Sequence, residues 1–65
     1  MTEAQERAKQ VFDKVKDKAE VERLARSIIK YHYTEDGWTY DFFTIDGILK
    51  KVEAFNHREF IEVQF

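Results

Sequence analysis

The sequence predicts an α+β fold in which an N-terminal helical segment packs on a curved, four-stranded antiparallel meander. Three observations predict it. The chain after residue 28 is punctuated by the tight-turn pairs Asp36-Gly37, Asp46-Gly47 and Asn56-His57. The runs between those pairs are rich in aromatic and β-branched residues, as strands are. The chain before them carries apolar residues at helical spacing behind a capping signal. The 65 residues form one domain, with a helical part over 3–26 and a sheet over 28–65.

The helical part starts at Thr2 and Gln5, the hydroxyl-and-amide pair of a capping box. Glu3 and Glu6 follow in the first turns, where the helix dipole favours acids. Ala4, Ala8, Val11, Phe12, Val15 and Ala19 then mark one apolar stripe. Val21, Leu24, Ala25 and Ile28 mark a second stripe, rotated from the first by roughly 130°. One straight helix cannot bury both stripes against one surface. Asp17 and Glu20 repeat the cap spacing. The expectation is therefore a break, with a first helix near 3–16 and a short second one near 18–26.

The turns set the register of the sheet. Asp-Gly suits a type I′ hairpin, which needs positive φ at both central residues. Centring the first turn on Asp36-Gly37 pairs Glu35 with Trp38, Tyr33 with Tyr40 and Tyr31 with Phe42. Ile29 shares that face. The other face of this hairpin carries Lys30, His32, Thr34, Thr39 and Asp41 and reads as wet. Asp46-Gly47 pairs Ile45 with Ile48, and a two-residue turn at Asn56-His57 pairs Val52 with Ile61 and Ile48 with Phe65. Ile45, Ile48, Val52, Ala54, Ile61, Val63 and Phe65 then share one face. The parity of Tyr40 and Phe42 conflicts with that of Ile45, and a β-bulge at Phe42-Phe43 resolves it. A bulge bends its strand, so the sheet should curve with the helices in its concave side. Lys50 falls awkwardly on the apolar face, near an edge where its amine can snorkel. Leu49, Phe55 and Phe60 fall on the outer face, with Trp38 a further candidate for it, and Lys51 and Glu62 sit opposite one another there.

Composition narrows the function classes. The chain has no cysteine, hence no disulfide framework and no thiolate chemistry. Eleven basic and thirteen acidic residues give a net charge of −2, with no electrostatic footprint for nucleic acid. No apolar run approaches the ~18 residues of a membrane span. Met-Thr-Glu-Ala-Gln-Glu-Arg is not a secretory signal. The expectation is a soluble, cytoplasmic protein without cofactor or metal.

Candidate chemistry is sparse. His32 and Asp41 are cross-strand neighbours, the pairing that orients an imidazole as a general base. Ser27 is the only serine and sits at the junction with the sheet, so no nucleophile stands beside the pair. A surface hydrogen bond on a wet face is the favoured reading. His57 lies in a turn, far from His32 in register, and zinc wants about four close ligands. Both glycines follow aspartate in hairpin turns, so no phosphate-cradling loop exists. Asp36 and Asp46 form turns and begin no calcium-loop series. Tyr31, Tyr33, Tyr40 and Phe42 could line a cavity on the concave face, with plain core the favoured alternative. Leu49, Phe55 and Phe60 are a candidate surface for a partner. No partner is expected, with a homodimer through the outer sheet face or edge as the alternative.

Two helical segments followed by a curved meander resemble the cystatin-like and NTF2-like architectures in layout. The cystatin family's Gln-x-Val-x-Gly loop is absent, and the chain is too short for the full NTF2-like cone, so no site residues carry over. The chain also resembles a de novo designed α+β protein. Asp-Gly hairpins, the capping box, the absence of cysteine and charges such as Glu6, Lys9, Lys14 and Arg23 on exposed helix positions carry that resemblance. It implies a structural scaffold without enzymatic activity. A small natural binding or inhibitor module, using the sheet edge or outer sheet face, is the alternative expectation.

Overall fold

A computed structural model describes residues 1–65 and contains one helix and five strands. The helix α1 (Glu3–Val15) starts at the expected box. Gln5 N–H donates to Thr2 Oγ1 at 3.1 Å, and Thr2 N–H donates to Gln5 Oε1 at 2.9 Å. Both bonds satisfy donors that a helix start leaves without intrahelical partners. The strands are β1 (Glu20–Arg23), β2 (Ile28–Glu35), β3 (Trp38–Ile45), β4 (Ile48–Phe55) and β5 (Phe60–Gln64). They form one antiparallel sheet in the order β1-β2-β3-β4-β5.

The second helix expected near 18–26 is replaced by β1, so the sheet has five strands rather than four. Helix α1 ends at Val15, and a turn closed by Ala19 N–H to Val15 O at 3.0 Å redirects the chain. Residues 20–23 then pair with β2, Glu20 opposite His32 and Arg23 opposite Ile29. All four residues of β1 are exposed. The backbone ladder and the Lys30–Glu22 ion pair at 3.4 Å hold this edge, not burial of an apolar stripe.

The first hairpin has the expected register, Glu35 opposite Trp38 through Tyr31 opposite Phe42. Asp36 and Gly37 adopt φ of 54° and 81°, and Asp46 and Gly47 adopt 53° and 80°, as two type I′ turns require. Register shifts between Phe43, opposite Lys51, and Thr44, opposite Leu49. One step on β3 thus matches two on β4, and the extra residue is Lys50. The bulge lies one position beyond the expected Phe42-Phe43, with its inserted residue on the facing strand. Phe42 and Thr44 keep simple alternation and both point inward. Leu49 turns inward beside Thr44, while Ile45 and Ile48 turn outward. This corrects the faces assigned to Ile45, Ile48 and Leu49. It also accounts for Lys50, whose side chain never had to occupy the apolar face.

The last connection is four residues long, Asn56 to Glu59, instead of two. Asn56 Oδ1 accepts from Arg58 N–H at 2.7 Å and from Glu59 N–H at 2.8 Å, and Asn56 N–H donates to Glu59 O at 3.0 Å. The longer loop moves β5 by two residues, so Val52 faces Val63 and Ala54 faces Ile61. A two-residue slip preserves which side chains point inward. Glu53 rather than Lys51 faces Glu62, and Lys51 pairs instead with Glu53 at 3.6 Å.

The core is Ala8, Phe12 and Val15 of α1 against Phe42, Leu49 and Val52 of the sheet. The Phe12 ring lies 5.0 Å from that of Tyr31, edge-on, and 5.1 Å from that of Phe42. Gln5 Nε2 donates to Gln64 O at 2.8 Å and ties the start of α1 to β5. A helix of 13 residues is only ~20 Å long. It covers the middle of a five-stranded sheet and leaves Val21 on β1 and Ile61 on β5 exposed at the flanks.

Candidate functional site

The alternation set by the first hairpin brings His32 on β2 directly opposite Asp41 on β3. Their side chains meet at 2.7 Å, Nδ1 to Oδ1. A carboxylate only accepts, so Nδ1 carries the proton and Nε2 faces away from the pair. Asp41 is 9% exposed although α1 lies on the other side of the sheet. Its cross-strand neighbours are His32 on β2 and Glu53 on β4. The face is thus less wet at its centre than alternation suggests. Ser27 lies five residues from His32 along the chain, ~16 Å at strand rise, and its carbonyl accepts from Asp46 N–H at 2.9 Å. The pair therefore orients an imidazole between acids and brings no hydroxyl nucleophile to it. His57 sits in the β4–β5 loop, and no three His, Asp or Glu side chains converge as a metal site would need.

The aromatic set divides. Tyr40 and Phe42 line an open apolar cleft of about 560 Å³ between α1 and strands β3 to β5. Tyr31 packs on Phe12 instead. Tyr33 lies beside Tyr40 with ring centroids 6.4 Å apart and donates its hydroxyl to Glu35 at 2.7 Å. That hydrogen bond raises the Tyr33 pKa above its ordinary 10.0, and partial desolvation and the nearby charges of Glu35 and Asp36 act in the same direction. The rest of the cleft comes from Ala4, Ala8 and Val11 on the helix and Val52, Ala54, Ile61 and Val63 on the sheet, with Glu3 and Arg7 at the mouth. Glu3 and Arg7 pair at 3.4 Å. The space exists because small side chains meet there: Ala4 and Ala8 face Ala54 across it. The alanines at the N-terminal end of the first stripe were the sequence signal for it. Shape and lining fit an apolar guest, with few polar groups to orient one.

Among the candidate interface residues, Phe55 and Phe60 stand together on the outer face, directly opposite in register and stacked with centroids 6.3 Å apart. Phe60 is 60% exposed. Leu49 does not join them; the bulge turns it into the core at 9% exposure. Ile48, assigned inward by unbroken alternation, takes its place outside at 60%. No helix of the chain is long and apolar enough to cross a membrane.

Fold and sites together define a small α+β protein with one helix on an antiparallel meander, an apolar cleft on one side of the sheet and an uncovered face on the other. Compared with protein-family models, curated protein sequences and solved structures, the chain matches none of them.

Proposed function

We propose that this chain is a structural scaffold, a designed protein without biochemical activity whose role is to fold into a helix-packed curved sheet of cystatin-like layout. The observation that supports this reading is agreement between the strongest local signals and the elements they specify. The reciprocal capping box is formed, and both Asp-Gly pairs occupy turns with positive φ at all four residues. Such consistency across levels is what a sequence chosen for its backbone displays.

Thermal unfolding against a panel of metabolites, cofactors, metals and peptides tests the reading. A ligand at a hundred times its dissociation constant adds about 2.7 kcal/mol, a rise of roughly 10–20 °C for a domain this small. The scaffold reading expects one reversible transition that no panel member moves by more than about 2 °C. A saturable rise of the larger size overturns it.

A second reading, a small protein-binding or inhibitor module, is favoured by the exposed Ile48 and Phe60 on a face that nothing covers. The β1 edge suits it less, because Glu20, Glu22 and Arg23 place charges along it.

A further inference from the structure

The two edges of the sheet differ. Glu20, Glu22 and Arg23 charge the β1 edge, whereas β5 carries a single charge, Glu62. The backbone groups that β5 turns outward follow from its pairing with β4. Asn56 N–H donates to Glu59 O and Phe65 N–H donates to Lys50 O, each at 3.0 Å. Ile61 and Val63, in the same phase, direct N–H and C=O toward β4. Phe60, Glu62 and Gln64 therefore direct theirs away from the sheet. Gln5 Nε2 holds Gln64 O, and the remaining donors and acceptors stand open along the edge at strand spacing. The side chains beside them are sorted by face. On the helix side Ile61 and Val63 form a wall of the apolar cleft, and Ile61 is 48% exposed. On the outer side Glu62 lies opposite Glu53, whose cation is Lys51. The Glu62 carboxylate accepts from the neutral Gln64 amide and has no cation of its own.

We propose that the β5 edge binds an extended peptide in which a lysine or arginine stands between two apolar residues, added antiparallel as a further strand. The basic residue pairs with Glu62 by both backbone hydrogen bonds, and its side chain meets the Glu62 carboxylate on the outer face. Its two apolar neighbours point to the helix side, one opposite Ile61 and one opposite Val63. There they cover the exposed part of Ile61 and extend the cleft wall past the reach of α1. The residue two places beyond the basic one falls opposite Phe60, and a tyrosine there stacks on that ring. This gives the protein-binding reading an edge and a partner class, and it rests on that reading.

Charge selects a basic peptide over a second copy of this strand. Two β5 strands paired antiparallel over their full length, Phe60–Gln64, centre on Glu62 and set one Glu62 carboxylate against the other, which is destabilising. A lysine at that position supplies the cation that Glu62 lacks. An added strand as short as β5 buries far less than the ~800 Å² a standard interface takes from each partner. Binding is therefore weak, with dissociation on the order of 0.1–1 mM.

Amide chemical shifts of the protein, titrated with the end-blocked peptide Ser-Thr-Val-Lys-Val-Tyr-Ser to about 3 mM, test this. Shifts should saturate and centre on Phe60, Glu62 and Gln64. N-methylation of the lysine amide, which is aimed at Glu62 O, should weaken binding at least about tenfold, and N-methylation of the second valine amide, aimed away from β5, less than about threefold. A glutamate in place of the peptide lysine should weaken binding about fivefold, and Glu62→Lys should reverse that preference. Circular dichroism verifies that Glu62→Lys and Ile48→Ser are folded. The absence of a saturable shift overturns the proposal, as does binding indifferent to which amide is methylated. Binding of that second kind that is lost in Ile48→Ser would put the peptide on the outer face, overturning the edge site and keeping the protein-binding reading. Shifts along β5 that follow protein concentration without peptide would make a second copy the occupant and overturn it too.

Discussion

Phe12 is the side chain on which the packing of helix on sheet converges. It is buried and touches both Tyr31 and Phe42, with Lys16 Nζ 5.9 Å above its ring. Phe12→Ala removes a ring whose burial, with the gap left behind, costs ~3–5 kcal/mol in a closed core. Two corrections lower the figure. Alanine is the better helix former by about half a kcal/mol, and the neighbouring cleft lets solvent and side chains enter the space. The expected loss is therefore about 3 kcal/mol, a drop of roughly 12–24 °C in melting temperature for a domain of this size. Urea unfolding followed by far-ultraviolet circular dichroism measures it, with His32→Ala alongside as a variant on the other face. A Phe12→Ala loss below about 1 kcal/mol, or one no larger than that of His32→Ala, would refute the assignment of core and outer face.

Other consequences are equally direct. Thr2→Ala removes an acceptor from the capping box and should cost about 1 kcal/mol, read by the same unfolding titration, whereas Thr2→Asp should retain most of the stability. Gly47→Ala meets no atom within 4 Å at its new Cβ, yet must hold φ of 80°, so its cost of about 1–2 kcal/mol is purely conformational; a Gly47→Asn variant should recover part of it. Tyr33 has a raised pKa in the folded state, so the neutral phenol is the form that folding favours. Its contribution is complete below pH 10 and is lost as pH rises through the folded pKa. Stability measured between pH 9 and 12 should fall less steeply in Tyr33→Phe than in the parent. Ala8→Leu fills the cleft and should lower binding of an apolar dye such as anilinonaphthalene sulfonate to the native protein, read by fluorescence titration; undiminished binding would contradict the cleft as a site for an apolar guest.

Those elements whose determinants are local were legible in the sequence. The capping box lies within four residues, and each Asp-Gly pair fixes its own turn and thereby the register of the strands it joins. Counting outward from Asp36-Gly37 was enough to place His32 against Asp41, and Tyr31 against Phe42. What was not legible depends on partners distant in sequence. Residues 20–23 hold three charges and one valine, and their spacing with Leu24 and Ile28 imitates a helical stripe. Only the ladder to β2 makes them a strand. The parity conflict between Phe42 and Ile45 announced a bulge, but either facing strand can carry the extra residue. Lys50 on an otherwise apolar face was the clue that β4 carries it. The Asn56–Glu59 loop was read two residues short because the twofold acceptance by Asn56 Oδ1 was not foreseen. The error did no harm to the inside–outside pattern, since two residues complete one strand period. The cleft stood in the sequence only as the less favoured alternative to plain core, on an aromatic wall of which Tyr40 and Phe42 line it, and not on the alanines that open it.

The register shift at Lys50 sorts the side chains of β4 between the two faces of the sheet, Leu49 into the core and Ile48 onto the outer face. Equilibrium unfolding of Ile48→Ala beside Leu49→Ala tests it most directly. With the bulge in β4, Leu49→Ala should cost about 2–4 kcal/mol and Ile48→Ala within about 0.5 kcal/mol of nothing. The reverse order, a costly Ile48→Ala and a tolerated Leu49→Ala, is what a strand without the bulge would give, and it would contradict the account.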